Sequence, residues 1–302
     1  YAFVRRRSSE LHGLAAAGLY LFNPAVLLAG PVWGQVDAAG TLAFLLALLA
    51  SGARRHVPAG ALAMLATFCK PQFGLVVLPV LAVTILAGLR SNDGRPFLRA
   101  IGGMVAAWVV VGGPLLLTPL RYAGLLANTA SGQPATSLYA FNPWGLLVGF
   151  NVPDGPYVVA GSLLLLGGII GAMWGLRRGQ DIAVLLAVGA GLVLAFYFLP
   201  TRVHERYLFP AMALLVPFAI STAGQLTAYL VLAIPFAASL LYALHVVTPF
   251  NLPDALAAVL AGMLTEGGWL VERHPRASVG DIIEARIPAG GPAGPGTTTL
   301  LL

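Results

Sequence analysis

The sequence predicts an all-α protein, a polytopic transmembrane helical bundle of about nine or ten membrane segments. Hydrophobic residues make up 58% of the chain and charged residues only 9%, whereas about a quarter of a soluble globular chain is charged. The apolar residues fall into blocks of roughly 17–22 residues, the length that a helix needs to cross a hydrocarbon core of about 30 Å. The alternation with a period of two that is typical of strands is absent.

Proline, glycine and arginine residues divide the chain into candidate helices. These lie at about 11–31, 37–52, 58–69, 72–89, 98–118, 157–176, 181–199, 207–222, 226–247 and 255–271. The 58–69 block is too short to span upright, so we expect it to form a broken or tilted pair with 72–89 across Pro71. Residues 1–272 are predicted to be one transmembrane domain with a long outer loop at about 120–156. Residues 273–302, rich in Pro, Gly and Thr, are predicted to be a disordered tail.

Basic residues are distributed unevenly between the two ends of these helices. If successive blocks cross in alternate directions, one end carries Arg5, Arg6, Arg7, Arg54, Arg55, Arg90, Arg95, Arg99, Arg177 and Arg178. The other end carries Lys70, Arg121, Arg202 and Arg206. By the positive-inside rule the first end is cytoplasmic, so we expect an integral protein of the plasma (inner) membrane. Because the bases lie at the ends of apolar blocks and not along one polar face, no nucleic-acid partner is expected.

Four polar clusters all map to the base-poor, non-cytoplasmic end, and this coincidence is the main functional signal in the sequence. They are Trp33–Asp37, Lys70–Gln72, the 120–156 loop with Tyr139–Gly145, and Arg202–Tyr207. Asp37 could be a helix cap, a hydrogen-bond acceptor for substrate hydroxyls, or a base. Lys70 could bind a phosphate as a point charge or extend to the membrane surface.

The cluster at 202–207 places a histidine and a glutamate between two arginines. Two guanidiniums, partly neutralised by Glu205, could hold a phosphate with bidentate geometry, while His204 could position that phosphate or exchange its proton. The alternative is an interfacial salt-bridge cluster. In the long loop, Asn142 and Trp144 suit sugar recognition, although aromatic residues also collect at membrane interfaces. Gly167, Gly171 and Gly175 recur every fourth residue, and we interpret this pattern as helix packing.

These motifs together resemble a known family, the bacterial polytopic glycosyltransferases of the GT-C fold, in particular its mannosyltransferase-like group. The stretch Val203–Arg206 is also similar to the Val-His-Glu-Lys motif of the dolichyl-phosphate-glucose glucosyltransferases. The resemblance extends over about residues 20 to 210. It is carried by Asn23–Pro24, Pro31–Asp37, Lys70–Gln72, Asn142–Trp144 and His204–Pro210.

The resemblance implies transfer of a mannose-like hexose from a polyprenyl-phosphate-linked donor to a lipid, glycan or protein acceptor, with inversion at the anomeric carbon. In that family the catalytic base is an Asp or Glu in the first outer loop, after the first transmembrane helix. No such loop precedes residue 11. We therefore expect either that the chain is an N-terminally truncated fragment or that Asp37 has taken this role. Some family members use a divalent cation, but no acidic pair in this sequence requires one.

The chemistry needs an acceptor hydroxyl, a carboxylate that takes its proton, and cations that stabilise the departing lipid phosphate. The residues expected to be catalytic are His204, Glu205 and Asp37. Those expected to bind the donor phosphate are Lys70, Arg202 and Arg206. Contacts to the sugar or the acceptor are assigned to Gln35, Trp33, Gln72, Asn142 and Trp144.

Two other classes of function remain open. A secondary transporter or a lipid or glycolipid flippase is favoured by broken helices and intramembrane proline. Transporters usually place ionisable residues near the midplane, however, whereas these spans are nearly free of charge and the polar clusters lie at one surface. A purely structural membrane subunit would not need a histidine, a glutamate and three bases on one face.

Overall fold

The structure, a computed structural model, describes residues 1–247, 270–274, 282–286 and 297–301. Within these residues helices predominate. They are α1 (Ala2–Arg7), α2 (Glu10–Leu21), α3 (Pro24–Leu27), α4 (Asp37–Gly52), α5 (His56–Cys69), α6 (Val77–Ser91), α7 (Arg95–Ala107), α8 (Pro119–Ser131), α9 (Pro143–Leu147), α10 (Val158–Trp174), α11 (Ile182–Phe198), α12 (Phe209–Ala219) and α13 (Ala223–Val247). Shorter 3-10 or π turns occupy Leu28–Val32, Pro71–Val76, Trp108–Gly112, Gly175–Arg178 and Glu205–Leu208. This content fits the predicted all-α class.

Few strands are described. Two-residue strands β1 (Ser137–Leu138) and β2 (Val203–His204) pair in parallel, with Ser137 opposite Val203 and Leu138 opposite His204. A separate antiparallel sheet has the order β3 (Leu270–His274), β4 (Ile282–Arg286), β5 (Thr297–Leu301). The chain divides into two compact units, Tyr1–Leu241 and Tyr242–Leu302. The tail from residue 273 onward was predicted to be disordered. In that region the structure describes only residues of these strands.

Helix α4 lies at the centre of the first unit, where it contacts α5, α6, α11 and α12. Phe44 and Leu48 on α4 are fully buried. Gly189 of α11 lies against both side chains, so the two helices approach closely at this point. Burial of large apolar side chains on a central helix fixes the positions of the helix ends around it, including those that carry the polar clusters.

The predicted 11–31 helix is broken in the middle, because α2 ends at Leu21 and the chain resumes as Pro24–Val32 with a bend of 51°. Pro24 lacks an N–H and disfavours helical geometry at Asn23, which instead adopts an extended conformation. The Asn23 side chain caps the new helix by accepting from Ala25 N at 2.9 Å, and its amide donates to the Tyr229 hydroxyl at 2.8 Å. The prediction of one continuous helix is wrong here.

Among the residues that the structure describes, four helical stretches are long and apolar enough to cross a membrane, or five if the bent pair counts as one span. They are Pro71–Ser91, Arg95–Gly112, Val158–Arg178 and Ala223–Val246. The apolar helices α4, α5 and α11 are shorter, with 16, 14 and 17 residues. The larger number of nine or ten membrane segments stays a prediction, and the candidate segment 255–271 lies mostly outside the described residues.

Packing of α10 differs from the sequence-based interpretation. Within the described part of the chain, a Cβ atom built at Gly167 or Gly171 would meet no atom within 4 Å, so these two glycines do not pack against a helix. Gly168, in contrast, lies against Ala195 of α11 and Leu199 just after this helix, and Gly175 lies against Val188. The glycine seam follows the helix face that α11 covers, and a four-residue repeat in the sequence cannot identify that face.

Candidate functional site

Lys70 connects two of the polar clusters. Pro71 ends helix α5 and leaves Lys70 in an extended conformation, which directs its side chain toward the start of α4. The Nζ atom contacts Oδ1 of Asp37 at 2.8 Å and donates to Oε1 of Gln35 at 3.0 Å. Asp37 is almost completely buried, with 1% of its surface exposed. Its second oxygen, Oδ2, is buried and has no hydrogen-bond partner among the described residues.

Glu205 and Arg206 form a second buried ion pair. Arg206 Nη1 donates to Glu205 Oε1 at 2.8 Å, and the Glu205 side chain is 2% exposed. His204 Nδ1 lies 3.7 Å from the other carboxylate oxygen. The Nε atom of Arg206 is buried and has no partner within residues 1–247 or the described strands. The Arg206 guanidinium thus keeps a buried N–H donor without an acceptor among these residues. A buried donor that makes no hydrogen bond lowers the free energy of unfolding.

Two observations bring these ion pairs into one site. The guanidinium of Arg206 lies over the ring of Trp33, with Cζ at 6.0 Å from the ring centroid. The Tyr207 phenol lies within electrostatic range of Arg206, Glu205 and Asp37. Asp37 and Glu205 lie on different elements, and both act on this phenol. We call Gln35, Asp37, Lys70, Glu205 and Arg206, together with Trp33 and Tyr207, the paired-ion cluster.

Gly34 permits the turn that places Trp33 and Gln35 in this cluster. Its φ of +69° lies in the left-handed region, which glycine adopts without steric strain. The preceding π turn ends at Val32, and Trp33 is the residue that follows it. Asp37 then opens α4 as its first residue, where the helix dipole favours a carboxylate. The N-cap of α4 is Val36 and no side chain makes a capping hydrogen bond there, so the helix-cap interpretation of Asp37 is wrong.

The 120–156 segment, predicted to be an outer loop, is held against residues 200–206 by a third ion pair. Arg202 binds Asp154 through Nε at 2.7 Å and Nη2 at 3.2 Å, and the Thr201 hydroxyl donates to the same carboxylate at 2.8 Å. Asp154 is 1% exposed, and the hydrogen bond from Arg202 holds the pKa of its carboxyl below the ordinary value of 3.8. Arg202 adopts a left-handed conformation with φ of +63°. Such bidentate geometry is strong and directional.

Further contacts position the same loop. Gln133 Oε1 lies 2.8 Å from His204 Nε2, and the β1–β2 pairing brings the backbone of Ser137 and Leu138 beside the histidine. Asn142 Nδ2 donates to Tyr197 O at 3.2 Å. Trp144 Nε1 donates to Leu199 O at 2.8 Å. The loop therefore lies across the end of α11, next to the paired-ion cluster.

The predicted site residues thus separate into three groups. Six lie in the paired-ion cluster: Trp33, Gln35, Asp37, Lys70, Glu205 and Arg206. Arg202 and His204 connect the cluster segment to the loop. Asn142 and Trp144 donate to the backbone carbonyls of Tyr197 and Leu199 at the end of α11, and Gln72 is half-buried in the 3-10 turn after Lys70. Contact of these last three with a sugar stays a prediction.

Sequence reasoning missed two residues of this region, Asp154 and Gln133, and it assigned no role to Tyr207 within the 202–207 cluster. Asp154 did have a signal, because it is the sole acidic residue between Asp93 and Asp181. An isolated acid, in a loop whose one other charged residue is Arg121, needs a partner if it is buried. No metal-binding set was predicted, and among the residues that the structure describes no group of three or more His, Cys, Asp or Glu side chains could hold a metal ion.

Replacing Asp154 with Asn is expected to lower the free energy of unfolding by about 1–3 kcal/mol, because Arg202 then loses its charged partner. The matched control is Asp93→Asn, whose exposed pair with Arg95 at 4.0 Å should contribute about 0–1 kcal/mol. Thermal unfolding in detergent at pH 7 compares the two variants. Equal shifts for both would contradict this account.

The same pair predicts a pH dependence with a definite sign. The pKa of the Asp154 carboxyl is depressed in the folded protein, so its stabilising contribution is complete well above 3.8 and is lost as pH falls through the lower folded value. We expect the stability advantage of the wild type over Asp154→Asn to shrink as pH falls from about 5 to about 3. Unfolding temperatures measured across that range check this, and a constant advantage would exclude the ion pair as its source.

Comparison with known proteins does not identify a family for this chain. No protein-family model matches the sequence, and no curated protein and no solved structure matches the chain. The likeness to GT-C glycosyltransferases therefore stays a prediction from short motifs.

Proposed function

We propose that this chain is an integral membrane glycosyltransferase, and that the paired-ion cluster binds the phosphate of a polyprenyl-phosphate-linked hexose donor. Membrane placement is supported by the outward-facing apolar surface. Of the 18 most apolar consecutive residues in Val158–Arg178, 6% are buried inside the protein. Leucine and isoleucine side chains of α10 are therefore exposed on the surface of the protein. Such a surface is unfavourable in water and favourable in lipid.

The observation that carries the proposal is the arrangement of Lys70 and Arg206. Each cation is held by its own buried carboxylate, Asp37 or Glu205, and each side chain is still about one fifth exposed, at 19% and 21%. Arg206 lies over the Trp33 ring and Lys70 contacts Gln35, two residues further along the chain, so both cations reach the Trp33–Asp37 segment. A phosphate that enters between the two cations would gain charge-assisted hydrogen bonds from both.

The proposed reaction uses these groups in a single displacement. The acceptor oxygen forms a bond to the anomeric carbon, and the bond between that carbon and the phosphate oxygen breaks. The bonding electrons leave with the lipid phosphate, whose charge Lys70 and Arg206 stabilise. The acceptor proton passes to Oδ2 of Asp37, the buried oxygen without a partner among the described residues. Attack opposite the leaving phosphate inverts the anomeric configuration.

Other residues have supporting roles in this proposal. Glu205 orients Arg206 through its 2.8 Å hydrogen bond, and Trp33 supports the guanidinium from its ring face. His204 lies between the loop and Glu205, where it can contact either the acceptor or the phosphate. Arg202 is engaged by Asp154 in bidentate geometry, so we assign it to positioning of the loop and not to direct binding of phosphate.

A secondary transporter or lipid flippase is the second candidate, and the 51° break between α2 and the Pro24–Val32 stretch favours it. Broken helices in transporters direct backbone groups at a substrate near the midplane. Here the backbone group freed at the break is capped by the Asn23 side chain, which reduces this support. The charged side chains collect instead where α4 begins and α5 ends.

The experiment follows acceptor-dependent release of polyprenyl phosphate from a panel of polyprenyl-phosphate sugars. Arg206→Gln is expected to lower the rate at least about tenfold, which is some 1.4 kcal/mol of barrier. Arg178→Gln, an exposed arginine at the other end of the bundle, is the control and should retain the wild-type rate. Movement of intact donor across vesicles without release would instead identify a transporter. Equal rates for the two variants would remove Arg206 from the site.

A further inference from the structure

A polar cavity lies at the end of the bundle remote from the paired-ion cluster. We propose that this cavity binds the headgroup of an anionic phospholipid, with the phosphate beside Arg7 and His12. The proposal rests on membrane placement but not on sugar transfer. The cluster lies where α11 ends and α12 begins, whereas this cavity is lined by Ala183 at the start of α11 and by Ile220 just after α12. Helix α11 has 17 residues, so about 25 Å separates its two ends.

The cavity has a volume of about 430 Å³ and presents groups that suit a phosphate. Arg7, Ser8, His12 and Ser221 contribute a guanidinium, an imidazole and two hydroxyls to its lining. A phosphodiester offers acceptor oxygens and one negative charge, which these donors match. A zwitterionic headgroup would bring an additional cation close to Arg7.

Two of these side chains are held in position before any ligand binds. The Arg7 guanidinium lies over the Phe3 ring, with Cζ 4.9 Å from the ring centroid. The Ser9 hydroxyl lies 2.6 Å from Nδ1 of His12. The nearby carboxylate of Glu10 is engaged by Tyr1 and Arg5, so it does not neutralise Arg7.

An apolar groove adjoins this cavity and gives the combined site the shape of an amphipathic ligand. The groove has a volume of about 420 Å³ and is lined mainly by apolar residues of α2, α4 and α12. Phe3, Val4 and Pro217 line both spaces, so the polar cavity and the apolar groove meet at these residues. An acyl chain can lie in the groove while the phosphate lies in the cavity. This continuity favours a lipid over a soluble anion.

The test measures thermal unfolding of the purified chain in detergent with added phosphatidylglycerol, phosphatidylcholine of the same acyl chains, or inorganic phosphate. Phosphatidylglycerol is expected to raise the unfolding temperature clearly more than phosphatidylcholine does, since only binding to the folded state stabilises. In Arg7→Gln and His12→Gln this difference should fall by at least about half. Arg6→Gln, an exposed arginine of the same helix that does not line the cavity, should keep the wild-type difference.

Several outcomes would overturn the proposal. Equal responses to the two lipids would exclude recognition of the anionic headgroup, and a full response to inorganic phosphate would indicate a soluble anion site. Equal losses in Arg7→Gln and Arg6→Gln would indicate a diffuse effect of charge. Ser221→Phe provides an independent variant, because it fills the cavity from the α12 side without removing a charge. It should abolish the phosphatidylglycerol response, and a retained response would contradict the site.

Discussion

Lys70→Met is expected to lower the free energy of unfolding by about 3–5 kcal/mol and to abolish turnover, because it leaves Asp37 buried without its cation. Asp37 is 1% exposed, and Nζ of Lys70 is 2.8 Å from its carboxylate. Removal of one member of a buried ion pair costs more than removal of both, since the remaining charge keeps its desolvation penalty. Chemical denaturation in detergent and the donor-release assay measure the two effects.

The double variant Lys70→Met with Asp37→Asn separates stability from function. Because it removes both charges, we expect it to recover most of the lost stability while turnover stays absent. Recovery of turnover in the double variant would exclude both residues from the reaction. If Lys70→Met alone were as stable as the wild type, Asp37 would not need the Lys70 cation to stay charged in the protein interior.

Gly103→Leu is expected to prevent close packing of α7 against α5 and to destabilise the folded state by about 3 kcal/mol or more. A Cβ atom at Gly103 would overlap the carbonyl oxygen of Val57 and lie 3.0 Å from the amide nitrogen of Ala61. Backbone atoms cannot rotate away as a side chain can. The helices would have to separate, and α5 would no longer present Lys70 to Asp37.

Its neighbour Gly102 is the matched control for this prediction. Among the described residues, nothing lies within 4 Å of a Cβ built at Gly102. Gly102→Leu should therefore be neutral or slightly stabilising, since leucine has a helix propensity better than that of glycine by somewhat less than about 1 kcal/mol. The yield of monodisperse protein and the unfolding temperature compare the two. Similar losses for both variants would show that the tight α5–α7 contact is not what limits stability.

Much of the helical framework follows from the sequence. The 37–52 block has the same bounds as α4, and the 157–176 and 181–199 blocks differ from α10 and α11 by one or two residues at each end. In each case a polar residue, glycine or proline interrupts an apolar block, so local composition determines where the helix ends. The break at Asn23 was missed because the residues on both sides are apolar enough to continue one block.

The candidate site was only partly predictable. Local motifs identified the polar clusters, and contacts such as Lys70 with Asp37 and Arg206 with Trp33 bring them together. The pairing of Arg202 with Asp154 joins residues 48 positions apart, and no local pattern encodes such a contact. The sequence therefore assigned Arg202 to the phosphate, whereas its bidentate contact with Asp154 favours a positioning role.

Acceptor-dependent release of free polyprenyl phosphate by the wild-type chain tests the central claim most directly. The protein is incubated with each polyprenyl-phosphate sugar, with and without candidate acceptors, and both products are quantified by mass spectrometry. The account predicts that polyprenyl phosphate and glycosylated acceptor appear in equal amounts and that neither forms without acceptor. Absence of release from every donor, with the protein folded and no detectable donor binding, would contradict it.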